Sequence, residues 1–196
     1  SVKFASSHSS TIVELKDGSL MTAWFGGTGE GNADVAIWGS RSSGAEGKTW
    51  SPPEELAHEL AVPCWNPVLF HTNEGRLWLY YKFGPSPSTW TAARKYSEDE
   101  GKTWSHAEHL PAGLVGPVRA KPLVLANGSI VSGSSTESYE AWAAWIERST
   151  DQGNTWTRIG PFIPRHEAVK PAGDEGVGSP AHDSHATTGI IQPSVV

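Results

Sequence analysis

The chain has 196 residues, 37% of them hydrophobic, with 15 Lys and Arg against 21 Asp and Glu for a formal net charge of −6. That balance, with no basic run to offset it, excludes nucleic acid as a partner, and no apolar stretch approaches the roughly 20 residues of a membrane-spanning helix. One cysteine, Cys64, excludes an internal disulfide; no leader is visible, and a secreted or extracytoplasmic setting is slightly favoured.

Taken in chain order, Ser10-Thr11-Ile12-Val13 reads as a strand, Asp17-Gly18 as a turn and Leu20–Phe25 as the returning strand. The order recurs at Asn66–Leu69, Glu74-Gly75 and Leu77–Tyr81, and again at Lys121–Val124, Asn127-Gly128 and Ile130–Val131. Gln192–Val195 opens a fourth copy. Pro67, Pro122 and Pro193 suit strand starts, where a missing amide donor costs least. Asn127-Gly128-Ser129 fits a glycosylation acceptor, but Asn-Gly is foremost a hairpin turn.

Three copies of a second pattern follow the strand pairs: Ser43-x-Ala45-x-Gly47-x-Thr49-Trp50, Ser97-x-Asp99-x-Gly101-x-Thr103-Trp104 and Ser149-x-Asp151-x-Gly153-x-Thr155-Trp156. Ser and Asp side chains close such turns on nearby backbone, and Gly supplies the positive φ. Repeats of roughly 50 residues with several short strands each specify β-propeller blades. The expected boundaries are 4–57, 62–112 and 117–162 for three blades of a partial propeller spanning 1–196. An inter-blade loop over 163–189 and the start of a fourth blade at 190–196 complete the reading. Trp50, Trp104 and Trp156 are expected to be buried between strands. His182, Asp183 and His185 fall in the loop without a third anchored ligand, so no metal is expected.

The pattern S-x-D-x-G-x-T-W is the Asp-box of the sialidase-like, or BNR-repeat, proteins, which this chain resembles over nearly its whole length. His8–Gly18, as H-x-S-T-I-V-E-L-x-D-G, and Cys64–Val68, as C-W-N-P-V, are similar to one subgroup. The resemblance implies an all-β, sialidase-like propeller of four-stranded antiparallel blades, six in the full protein, with the N-terminal half present here. It implies an exo-acting glycoside hydrolase that removes a terminal acidic sugar from a glycan, with no cofactor. The family's Tyr–Glu nucleophile belongs to later blades, so these 196 residues are not expected to turn over substrate alone.

Polar residues at the starts of the blades point to a ligand-binding channel mouth, because buried unpaired polar groups cost roughly 1–3 kcal/mol each. His8, Asn66, Arg119, Lys121 and Gln192 are therefore the expected substrate contacts, with Glu137 as an acceptor for a sugar hydroxyl. The resemblance places the acid/base carboxylate on the loop after the second strand, where Glu30 stands with Asp34 in reserve. His8 occupies the position of an arginine that clamps the substrate carboxylate in sialidases, a departure that leaves Arg119 and Lys121 to replace part of that clamp. Trp65 and Trp90 are candidates for stacking on sugar rings. Two other readings keep the propeller: a lyase or rhamnose-releasing enzyme on uronate-containing glycans that uses His8, and a carbohydrate-binding propeller without catalysis.

Overall fold

The computed structural model describes residues 4–138, 141–163, 188–189 and 191–195, and among them every regular element is a strand. The first sheet runs in the order β1 (Ser6–Glu14), β2 (Leu20–Gly27), β3 (Ala36–Arg41), β4 (Glu54–Ala57). The second runs β5 (Cys64–His71), β6 (Leu77–Phe83), β7 (Thr91–Ser97), β8 (Glu108–His109). The third holds β9 (Leu123–Val124), β10 (Ile130–Glu137), β11 (Ala141–Ser149) and β12 (Thr157–Phe162), and a short β13 (Thr188–Gly189) lies parallel to the start of β11. Three antiparallel meanders in succession are the blades of a sialidase-like propeller. The turns close where the sequence places them, on Gly18, Gly75 and Gly128 at φ 79–82°. Asn127 accepts the Ser129 amide at 3.0 Å, so the Asn-Gly-Ser run is a hairpin turn.

The strands differ from the sequence reading at two openings. β9 is only two residues long, and 191–195 forms no strand. Pro122 and Pro193 have no amide to give a ladder. Gln192 sits at φ 50°, outside extended geometry, and its amide goes instead to the Ser135 hydroxyl at 3.2 Å. The expected metal-free His182, Asp183 and His185, and nearly all of the 163–189 loop, lie outside the described residues; among the described ones no group of three metal-ligating side chains occurs.

Position in the array explains composition. β1 alternates, with Thr11 and Val13 buried while Ile12 and Glu14 face out, as a strand with one packed face does. β5 and β6 are buried at all but their last residues, because the second blade is covered on both sides. One face joins Val13, Met21, Phe25 and Ile37 to Leu69, Leu77, Leu79 and Tyr81. The other joins Val68, Phe70, Trp78 and Tyr80 to Ile130 and Trp156 of the third blade.

Two of the box turns are built alike. Asp99 accepts the Ser97 hydroxyl at 2.8 Å, the Thr103 amide at 2.8 Å and the Thr103 hydroxyl at 2.7 Å. Asp151 accepts the Ser149 hydroxyl and the Thr155 amide at 2.8 Å each, and the Thr155 hydroxyl at 2.5 Å. The Thr103 and Thr155 hydrogen bonds hold both carboxyls below the usual carboxylate range. Each of these turns also packs on the blade before it. Gly101 lies against Met21 and Arg41, and the Gly153 carbonyl accepts Arg94 at 2.6 Å. The tryptophans correct one expectation. Trp104 and Trp156 are half-buried against the inter-blade clusters, whereas Trp50 is 37% exposed. The physical reason is position: among the described residues no blade precedes the first, so its box has nothing to pack against, and the Trp50 indole simply donates to Gly47 at 2.7 Å.

Candidate functional site

The blade openings carry a repeated irregularity. Ser9, Asn66 and Gln192 all have positive φ, at 54°, 41° and 50°. The β1–β2 pairing slips between His8 and Thr11, and the β5–β6 pairing between Trp65 and Val68. Bulges of this kind re-aim side chains, and non-glycine residues held at positive φ mark strained, often functional, positions. Here they turn the starts of the strands toward one another.

What they enclose is a cavity of about 130 Å³ lined by His8, Ser9, Glu30, Trp65, Asn66, Pro87, Trp90, Arg119, Glu137, Ile191 and Gln192. Six of the eight residues expected from the sequence meet there: His8, Glu30, Asn66, Arg119, Glu137 and Gln192. A wider cleft of about 860 Å³ adjoins it through His8, Ser9 and Arg119, and continues over Phe4, Trp24 and Pro53.

Each polar member is presented differently. His8 Nδ1 stands 3.4 Å from Glu30 Oε2, both side chains more than half exposed, and the imidazole meets the Phe25 ring edge-on at 5.5 Å. Asn66 is only 7% exposed, yet its carboxamide has no hydrogen-bond partner among the described residues. It opens onto the cavity wall, where a ligand can reach it. Arg119 is exposed and makes no ion pair among the described residues. Glu137 is half-buried at the end of β10, and that burial raises its pKa. Trp65 is buried, spends its indole N–H on the Gly84 carbonyl at 2.8 Å and meets Trp90 at 6.2 Å. That leaves apolar ring surface beside the polar groups, the combination that suits a sugar ring.

The remaining two expected residues are placed elsewhere. Asp34 accepts the Thr28 amide at 2.9 Å and the Thr28 hydroxyl at 2.8 Å, bonds that lower its pKa and close the 28–34 loop carrying Glu30. Lys121 does not line the cavity; its ammonium donates to the Ile12 carbonyl of β1, and burial of that end lowers its pKa. A count shows why Arg119 and not Lys121 reaches the mouth. Ser9, Asn66 and Arg119 each stand nine residues before the turn glycine of their blade, Gly18, Gly75 and Gly128. Sequence reasoning alone misses Ser9, Pro87 and Ile191. It also misses two fully buried charges, Lys82 and Glu147, of which Lys82 is signalled by its place in the otherwise apolar run Leu77–Phe83.

The sequence profile of the BNR repeat-like domain matches residues 18–196. The chain belongs to that family. Comparison with curated proteins finds no match. Among solved structures, this BNR repeat-like chain is similar to the NanB sialidase from Streptococcus pneumoniae, at 11% identity and a TM-score of 0.67, over 85% of this chain and 46% of that one. It is similar to the intramolecular trans-sialidase from Ruminococcus gnavus, solved with oseltamivir carboxylate, at 14% identity and TM-score 0.62, over 80% and 60% of the two chains. A family 117 glycoside hydrolase from the marine bacterium Zobellia galactanivorans matches at 14% identity and TM-score 0.57, over 79% and 55%. The chain thus spans about half the length of the solved chains it matches. At these identities the likeness is one of fold.

Proposed function

We propose that the BNR repeat-like chain forms the substrate-binding half of an exo-acting glycoside hydrolase that releases a terminal acidic sugar. The observation that carries the reading is the convergence of two carboxyl groups, an imidazole, an unpaired guanidinium and two carboxamides on one indole-walled cavity. In this reading Arg119 meets the sugar carboxylate, a task suited to a planar fork of donors. Asn66 and Gln192 bond ring hydroxyls, and Trp65 and Trp90 cover the apolar ring face. Glu30, oriented by His8, exchanges the proton with the glycosidic oxygen, while Glu137 accepts a hydrogen bond from a sugar hydroxyl.

The 3.4 Å contact between His8 and Glu30 favours one alternative, a lyase acting on uronate-containing glycans. His8 would then take the proton beside the carboxylate, with Glu30 holding the imidazole in place. The whole protein incubated with sialosides and with uronate-terminated oligosaccharides separates the two. A hydrolase releases the intact sugar, and a lyase releases an unsaturated uronate that absorbs in the ultraviolet. Binding of these glycans without any turnover leaves a carbohydrate-binding propeller and overturns both enzyme readings.

A further inference from the structure

The third blade is entered through residues 114–120, a stretch that forms no strand although Val115, Gly116, Pro117 and Val118 are buried. Buried backbone groups need partners, and here three consecutive residues find them on two charged side chains from different blades. Glu147, toward the end of β11 and fully buried, accepts the Gly116 amide at 2.7 Å, the Val115 amide at 3.3 Å and the Ser134 hydroxyl at 3.0 Å. Lys82 on β6, equally buried, donates to the Pro117 carbonyl at 2.7 Å. Gly116 has φ 60°, and a Cβ there would meet the Tyr80 ring at 2.9 Å, so the stretch has one seat.

Two buried ionisable side chains are an expensive way to satisfy three backbone groups, since apolar packing of similar volume is commonly as stable or more so. Their effect is to tie this stretch to two blades at once. Three residues past Gly116 stands Arg119, exposed, unpaired among the described residues and shared by the small cavity and the wide cleft. The other charge facing Glu147 is Arg158 of β12, with Nε 3.7 Å away and its guanidinium 3.9 Å above the Trp145 ring. It balances Glu147 from the opposite blade edge and makes no hydrogen bond to 114–120.

We propose that Lys82 and Glu147 are positioning residues that hold the Val115–Pro117 backbone and thereby fix the Arg119 guanidinium at the channel mouth for an anionic sugar. This rests on Arg119 as a ligand contact, the role given to it above. Neither residue touches the ligand.

A double-mutant cycle on the whole protein tests it, with D-glucuronate binding by calorimetry as one readout. The second readout needs no ligand: the order of the Arg119 side-chain Nε–H by nitrogen relaxation, with exchange of the Val115 and Gly116 amides. Arg119→Ala is expected to weaken glucuronate binding by about tenfold or more, the weight of a hydrogen bond to a charged group. Lys82→Met is expected to weaken it as well, but not further once Arg119 is already alanine. It should loosen the Arg119 signal and speed the two amides while the β1–β2 hairpin amides stay unchanged. Lys82→Gln, which keeps an N–H donor, should restore part of the order, and Glu147→Gln should reproduce the loosening through the other contact. An equal loss of binding with and without Arg119 would show that Lys82 acts through the fold at large, and an unchanged Arg119 signal in both Lys82→Met and Glu147→Gln would overturn the proposal. Loss of Arg119 order without any glucuronate binding in the parent protein would leave the positioning standing and refute only the ligand role of Arg119.

Discussion

Lys82→Met should change how stability depends on pH. Burial drives the pKa of Lys82 down from the ordinary 10.5 to about 7, because the folded chain offers its ammonium no water. The unfolded chain therefore binds a proton that the folded chain has released throughout that interval. Stability then rises with pH, by up to roughly 1.4 kcal/mol per pH unit. Between pH 7 and pH 9 the gain is about 2.3 kcal/mol, allowing for half-titration at the lower end. Below pH 7 both states hold the proton and the slope vanishes. Urea unfolding of the parent protein and of Lys82→Met at half-unit steps from pH 6 to pH 9 reads this directly. Cys64, whose thiol burial pushes up to about 12, contributes with the opposite sign toward the alkaline end, but equally in both proteins. The difference between the two curves should climb by about 2 kcal/mol over the interval. Parallel curves would mean that Lys82 is already protonated or already wet in the native state, and the reasoning would fail.

Four further outcomes follow from the geometry. If Glu30 moves the proton, Glu30→Gln should lower kcat by roughly 10²–10⁴ with substrate binding retained, measured on whichever glycan the whole protein turns over; unchanged kcat removes Glu30 from the chemistry. Asn66→Gly should leave the melting temperature unchanged or raised, because it removes the strain of a non-glycine residue at φ 41°, while glucuronate binding falls; a lower melting temperature contradicts the strain argument. Ala45→Asp should raise the melting temperature by restoring to the first box the acceptor that Asp99 and Asp151 supply in the others, and a crystal structure should show its carboxylate on the Thr49 amide. Gly101→Ala should destabilise the protein by more than about 1 kcal/mol, since the residue sits at φ 77° and a Cβ would meet Met21 Sδ at 2.8 Å; a neutral effect would show that the box turn is not held against the first blade.

The box turns were legible in the sequence because their chemistry is local. Asp99 reaches only to Ser97 and Thr103, so four residue types at fixed spacing specify the whole turn. The cavity wall was legible for a different reason: His8, Asn66, Arg119 and Gln192 stand at or beside the openings of successive blades, and Glu30 lies on the loop where the resemblance to the BNR-repeat proteins places the acid/base carboxylate. Lys121 shows the limit. It follows the proline pattern of Asn66-Pro67, but two residues fewer separate it from its turn glycine, and that shortening hands the mouth to Arg119. The grip of Lys82 and Glu147 on residues 115–117 joins positions more than 30 apart in the chain, and no periodicity encodes such a contact. Only the oddity of a lysine among Leu77, Trp78, Leu79, Tyr80 and Tyr81 hints at it. The exposure of Trp50 was hidden similarly, since burial of a box tryptophan is decided by the neighbouring blade and not by the box.

The box-to-blade contacts run in one direction: Gly101 of the second box rests on Met21 and Arg41, and Gly153 of the third on Arg94. Each blade thus clasps the one before it, and no described box reaches back two. Energies in such an array add between nearest neighbours, so damage to a turn is contained within one junction instead of spreading around the ring. In the first box Ala45 supplies no side-chain acceptor of the kind that Asp99 and Asp151 give the Thr103 and Thr155 amides, and the effect of that loss is expected to stay within its own junction. A repeat built this way can let one copy drift while its siblings keep the architecture, leaving that copy's surface open to acquire a different use.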